Sequence, residues 1–337
     1  MATILVTGSA GFIGFFVSLE LLKMGHRVIG IDNFNSYYLP RLKKRREEIL
    51  KGYSNYFSTI GELSDREFVD SVYDINKPDL VLHLAAQAGV RYSLKNPYSY
   101  QKSNLEAFVN VIEKAKVMGL KRFVYASSSS VYGGNTKMPY SEDDPVNTPI
   151  SLYAATKRSN ELMAFTYTHL WKLQTIGLRF FTVYGPWGRP DMAYWSFLDN
   201  MRHEEPIKVF NYGKNMRDFT YIDDIVSGVI SALFSENLDP YEIINLGNNK
   251  PTQLMEFIGN LEDLSGMKAI TQMVEAQPGD VVATFADITK AQEKLNFQPS
   301  TDLKEGLKNF VIWFNEQKGL VDEVREFRKN SGQLSMG

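Results

Sequence analysis

The sequence predicts an α/β fold: a doubly wound parallel sheet in residues 1–184, a smaller C-terminal α/β lobe over 185–330, and a tail at 331–337. Three observations predict it. Short apolar runs alternate with longer amphipathic ones through the first half. A glycine-rich turn joins the first apolar run to the first amphipathic one. The texture then changes at Gly185-Pro186-Trp187-Gly188-Arg189-Pro190, a turn-rich loop. A chain of 337 residues has room for roughly two domains of about 150 residues.

Residues 4–6, 28–31, 80–84, 123–126 and 175–181 read as buried strands, with a third strand ahead of Glu62. Helical periodicity falls between them near 13–24, 39–50, 65–76, 98–118 and 152–173. Strands that alternate with helices require crossover connections, hence parallel strands covered on both faces. After Tyr184 a helix near 194–202, a strand near 207–210, helices near 222–234 and 254–264 and a helical region over 301–328 are expected. Asp287 reads as the cap of a further helix. The run Lys43-Lys44-Arg45-Arg46, followed by two glutamates, reads as a solvated helix face, with contact to an anionic group the alternative.

Composition excludes several classes of protein. With 44% apolar and 23% charged residues the chain can bury a core. A net charge of −2 favours neither nucleic acid nor an anionic membrane as partner. The absence of cysteine excludes disulfides, thiolate metal sites and a thiol nucleophile; no metal is expected. No apolar run reaches the roughly 18 residues of a membrane span. A strand is expected from Thr3, leaving no room for a signal peptide, so a cytoplasmic protein is expected.

Gly8, Gly11 and Gly14 fall between the first strand and first helix, with Phe12 and Ile13 among them. Gly8 permits the tight turn, Gly11 lets backbone approach a pyrophosphate, and Gly14 lets the helix pack closely on the sheet. The helix N-terminus then favours the phosphate charge. The pattern predicts a Rossmann-type dinucleotide site. Asp32, ending the second strand, would accept the adenosine ribose hydroxyls and repel a 2′-phosphate, which favours NAD over NADP. Asn33, Asn35, Glu62, Leu63, Leu84, Ala85 and Ala86 lie at the same sheet edge.

Tyr153 and Lys157 are four apart at a helix start, so they share one face. Tyrosine as a base near neutrality needs its pKa of about 10 lowered by about 3 units. A lysine ammonium and an oxidised nicotinamide could supply that shift. The preceding strand ends in four serines, of which Ser128 is preferred for bridging substrate and tyrosine, with Ser129 and Ser130 as competitors.

With the glycine triplet, Asp32, Leu84-Ala85-Ala86, the serine run and the Tyr153/Lys157 pair, the chain resembles the extended short-chain dehydrogenase/reductase superfamily over residues 1 to about 325. Four longer segments are similar to UDP-glucuronate 4-epimerases. They are Arg179 through Ala193, Ala88-Gly89-Val90-Arg91-Tyr92-Ser93, Arg217 through Asp224, and Gln277-Pro278-Gly279-Asp280-Val281. Related galactose epimerases generally carry Asn where Thr182 stands, which argues against a plain hexose.

The resemblance implies a UDP-sugar substrate, with Val209 and Phe210 flanking the uracil and Arg217 on the diphosphate. It puts Asp280 on the ribose or an arginine, Arg91 and Arg189 on the sugar carboxylate or the diphosphate, and Thr182, Arg189 or a serine as the clamp that orients the carboxylate. It implies a tightly bound NAD, recycled within each turnover, and a homodimer through the helices near 98–118 and 152–173. Leu162, Met163, Phe165, Tyr167 and Leu170 give the second helix more apolar surface than one stripe requires. A UDP-glucuronate decarboxylase, an epimerase of neutral UDP-hexoses and a non-catalytic NAD sensor are the alternatives.

Overall fold

The computed structural model of the chain describes residues 1–276 and 283–332. The first half alternates as expected. It runs β1 (Thr3–Thr7), α1 (Phe12–Lys23), β2 (Arg27–Asp32), α2 (Pro40–Leu50), β3 (Tyr56–Ile60), α3 (Arg66–Asn76) and β4 (Leu80–His83). Two short helices follow, α4 (Val90–Lys95) and α5 (Pro97–Tyr100). A π-helical turn joins α5 to α6 (Ala107–Val117). Then come β5 (Arg122–Ser128), α7 (Leu152–Trp171), β6 (Gln174–Phe180) and β7 (Thr182–Tyr184).

The second half contains α8 (Ala193–Arg202), β8 (Ile207–Phe210), β9 (Met216–Tyr221), α9 (Ile222–Phe234), β10 (Tyr241–Leu246), β11 (Pro251–Gln253) and α10 (Leu254–Ser265). It closes with β12 (Thr271–Val274), β13 (Ala283–Thr284), α11 (Thr289–Leu295), α12 (Leu303–Glu316) and α13 (Lys318–Asn330). The helical region expected over 301–328 is thus two helices, broken at Gln317. The N-cap of α11 is Ile288, without a side-chain cap, rather than the expected Asp287, which stands one residue earlier and accepts from the Thr289 N–H at 2.9 Å.

Among the described residues, the main sheet holds seven strands in the order β10-β6-β5-β4-β1-β2-β3, all parallel. Strand alternation sends Ile4, Val6 and Val28 to one face, against Phe15, Val17 and Leu21 of α1. Leu5, Ile29 and Val81 go to the other, with Phe108, Val111 and Ile112 of α6. The strand order reverses between β1 and β4, where ligands bind in folds of this kind, outside the carboxyl ends of the strands.

Strand β10 extends this sheet from beyond residue 185: the chain leaves after β6 and returns through α9. Asn245 ties the returning strand down. It accepts from the Tyr132 hydroxyl at 2.7 Å and donates to the carbonyls of Tyr140 and Asp287. The smaller lobe is built on β9, which pairs with β7, β11 and β13, and on the parallel pair β8–β12.

The basic run in α2 is a different object from the one the sequence predicts. Lys44 and Arg45 are exposed, but Lys43 and Arg46 are buried. Three residues apart, they share the inward face. Arg46 donates to the carbonyls of Ala10, Trp187 and Gly188 and to the Tyr38 hydroxyl. One guanidinium thereby braces the glycine turn against the loop that opens the second lobe.

Candidate active site

Two adjoining cavities of about 420 and 430 Å³ lie over the carboxyl ends of the strands. Both are walled by Tyr37, Gly89, Ser129, Ser130, Thr182 and Arg189, so they form one continuous cleft.

The first cavity gathers Gly8, Gly11, Phe12, Ile13, Gly14, Asp32, Asn33, Asn35, Glu62, Leu63, Leu84, Ala85 and Ala86, together with Ser128, Ser129, Tyr153 and Lys157. Its floor is shaped by absent side chains. Gly8 has φ +71°, and a Cβ there would stand 2.9 Å from the Ala85 backbone. A Cβ on Gly14 would stand 2.1 Å from the Gly8 carbonyl oxygen. The N-terminus of α1 has no side-chain cap and no acidic residue in its first turn. Its free N–H groups face the cavity as an anion site. Asp32 Oδ1 accepts from the Phe34 N–H at 2.9 Å, and Asn33 reaches Glu62 at 3.1 Å. Lys43, which the sequence reading left on the solvated face, stands 4.0 Å from Asp32 and donates to Asn35. The glycine cradle, the open helix end and the carboxylate at the end of β2 fit a dinucleotide.

Helix α7 brings Tyr153 and Lys157 to this cavity, its start fixed by Ser151, whose hydroxyl accepts from the Ala154 N–H. Lys157 Nζ donates to the Ala126 carbonyl at 2.8 Å. Burial lowers its pKa to about 8, opposed by the charge of Glu161. Burial also raises the Tyr153 phenol above its ordinary value, while the Ser128 hydroxyl and the Arg189 charge act the other way.

The four serines part company in the fold. Ser127 turns inward and donates to Glu161 at 2.6 Å. Ser128 stays beside Tyr153 and accepts from the Ser130 N–H at 3.2 Å. Glu161, with no solvent exposure, carries the inner layer: Arg179 binds it bidentately at 2.8 and 3.0 Å, and Arg158 adds a third contact. That ion pair holds β6 to α7 directly behind Tyr153 and Lys157.

The second cavity gathers Arg91, Thr182, Arg189, Phe210 and Arg217. Arg91 lies over the Phe210 ring at 5.0 Å. Val209 does not line it: strand alternation turns Val209 into the core and points Lys208 and Phe210 outward, so the expectation of a Val209 side chain against a base is corrected. Asp280 lies outside the described residues. Wall residues not assigned a role from the sequence include Tyr37, Asp191 and Arg328. Arg328 arrives from α13, more than a hundred residues from the rest of the wall at Phe210 and Arg217, and no local pattern marks it. Among the described residues there is no group of three or more His, Asp or Glu able to hold a metal ion, and no helix long and apolar enough to cross a membrane.

A doubly wound sheet, a glycine cradle and a Tyr/Lys pair facing one cleft define the class of the extended short-chain dehydrogenase/reductases. The model of the family described as "NAD dependent epimerase/dehydratase family" matches residues 4–247. The chain belongs to that family.

UDP-glucuronate 4-epimerase 1 of Arabidopsis thaliana is 46% identical over 93% of this chain and 76% of its own. The probable UDP-glucuronate 4-epimerase of Rhizobium meliloti is 41% identical over 93% of this chain and 96% of its own. UDP-glucuronic acid 4-epimerase from Bacillus cereus, solved in complex with UDP-glucuronic acid and NAD, superposes with a TM-score of 0.87. It is 34% identical over 93% of this chain and 99% of that one.

Proposed function

We propose that the chain is an NAD-dependent 4-epimerase that interconverts UDP-glucuronate and UDP-galacturonate through a 4-keto intermediate. The carrying observation is the continuous cleft. A dinucleotide cradle ends at Tyr153 and Lys157, and the space beyond them is lined by four arginines, Arg91, Arg189, Arg217 and Arg328, and by Thr182. Its relatives named UDP-glucuronate 4-epimerases support the same reading.

Gly8, Gly11, Phe12, Ile13 and Gly14 would hold the pyrophosphate. Asp32, Asn33 and Asn35 would hold the adenosine ribose, with Glu62, Leu63, Leu84, Ala85 and Ala86 along the adenine and ribose edge. Lys157 would hold the nicotinamide ribose. NAD⁺, when bound, supplies the acceptor and donor of hydrogen at sugar C4 and a positive charge that favours the Tyr153 phenolate. Phe210 would pack on the uracil, and Arg217 and Arg91 would face the diphosphate, to which a guanidinium can bind bidentately.

Tyr153 as phenolate takes the proton of the 4-hydroxyl, with Ser128 bridging the two oxygens and Ser129 beside it. The proton returns from Tyr153 once the keto sugar has turned over. The intermediate is a β-keto acid, which loses CO₂ when its carboxylate bond aligns with the carbonyl π system. Arg189, Thr182 and Ser128 would hold that bond out of alignment.

A homodimer through α6 and α7 is part of the proposal. Leu162, Phe165 and Leu170 are each more than half exposed, whereas Met163 and Tyr167 pack inward on the core. A cytoplasmic location fits the absence of cysteine.

The test is incubation with UDP-glucuronate, without added NAD, followed by proton NMR. UDP-galacturonate should appear. Stoichiometric CO₂ from carboxyl-labelled substrate would identify a decarboxylase instead, and faster turnover of UDP-galactose than of UDP-galacturonate an epimerase of neutral hexoses.

A further inference from the structure

The arginine assigned to the sugar carboxylate already has a carboxylate partner within the protein. Arg189 Nε donates to Asp191 Oδ1 at 3.0 Å, and Nη2 donates to Asp191 Oδ2 at 2.5 Å. One bidentate edge of the guanidinium is therefore filled. The Tyr37 hydroxyl donates to the same Oδ2 at 3.1 Å. Tyr37 comes from the loop between β2 and α2, which also carries Asn33 and Asn35 of the cofactor cavity. Partial desolvation opposes charge on Asp191, which stays exposed to the cleft, but the neighbouring Arg189 outweighs it and holds the carboxyl below its ordinary value, so Asp191 is ionised. Arg189 lines both cavities and Asp191 the second, so a substrate carboxylate arriving at Arg189 meets this pair.

We propose that Asp191 is the internal counter-ion of Arg189, sharing its charge so that the substrate carboxylate is oriented but held loosely enough for the 4-keto sugar to turn. This rests on the epimerase reading. An arginine offered to the carboxylate alone would stabilise the bound ground state of either sugar and oppose the rotation between them. A guanidinium divided between two carboxylates binds each less firmly. Tyr37 fixes the arrangement by taking part of the Asp191 charge. Asp191 is thus a positioning residue, acting on substrate through Arg189.

The experiment measures kcat and KM for UDP-glucuronate, and the inhibition constant of UDP-glucose, in wild type, Asp191→Asn, Asp191→Glu and Tyr37→Phe. In Asp191→Asn, KM and kcat should each fall about tenfold, the factor associated with one charge-assisted hydrogen bond. Asp191→Glu should restore both toward wild type. Tyr37→Phe leaves the whole Asp191 charge on Arg189, so its KM should rise, by about threefold for a shared hydrogen bond. UDP-glucose has no carboxylate, and its inhibition constant should stay within about twofold throughout. A merely structural Asp191 would give Asp191→Asn and Tyr37→Phe the same sign, loosening both sugars alike. A rise in KM in Asp191→Asn overturns the inference. If that variant does not fold, Tyr37→Phe decides: equal shifts for the two sugars, or none, overturn it. A wild type that leaves UDP-glucuronate unchanged overturns the epimerase reading and the inference with it.

Discussion

Tyr153 and Lys157 sit under opposing demands: burial makes the site selective, yet burial disfavours the charged form of both groups. Replacing Tyr153 by Phe should cut epimerisation by a factor of about 10²–10⁴, the range for a positioned acid–base group. Bound NAD, read by its absorbance after denaturation, should be retained. Undiminished turnover would refute the assigned base. The lowered pKa of Lys157 gives a pH dependence with a definite sign. In the proposed site the ammonium is the form that would hold the ribose, and it is present below about pH 8, so affinity of the stripped protein for NAD should fall as pH rises through that value. Titrations across pH 6–10 check this, and Lys157→Met should be weak and flat. The identities of this pair were legible in the sequence because four-residue spacing fixes a shared helix face. The choice among the serines was only half legible. Alternation along β5 sends Ser127 to Glu161 and leaves Ser128 at Tyr153, and that parity depends on where the strand pairs with β6.

At the scale of elements, α1 and its glycine turn show local chemistry deciding structure. The Gly14→Ala side chain has nowhere to go, its Cβ falling 2.1 Å from the Gly8 carbonyl. A forced shift of that kind costs about 1–3 kcal/mol. A lower melting temperature and weaker NAD binding should appear together in that variant, and a variant with normal melting and binding would contradict the close packing. Helix α2 shows the converse. Its basic run looked solvated because charge is the louder signal, but helical periodicity divides it, and the packing against the 185–190 loop takes Arg46 entirely out of water. Strand β10, Tyr241 to Leu246, was not expected from the sequence: Glu242 and Asn245 interrupt its apolar residues, and nothing local to it says that its partner is β6.

At the scale of the whole molecule, Leu162, Phe165 and Leu170 on α7 and Tyr98 on α5 stay exposed after every layer has packed. Paired Leu162→Glu and Phe165→Glu substitutions should convert a dimer to a folded, NAD-retaining monomer in sedimentation velocity. A wild type that sediments as a monomer would remove the dimer from the proposal. The sequence alone determined the doubly wound class, the nucleotide end of the cleft and the Tyr/Lys pair, because each depends on spacings within one turn or one strand–helix junction. Only the tertiary structure decided which charges are buried and that Tyr37 and Arg328 reach the same cleft as Arg189 and Asp191. Those contacts join residues up to about 150 positions apart, as between Tyr37 and Asp191. A short-range pattern carries no record of such an encounter: it is fixed by how the sheet, the returning strand and the second lobe close on one another.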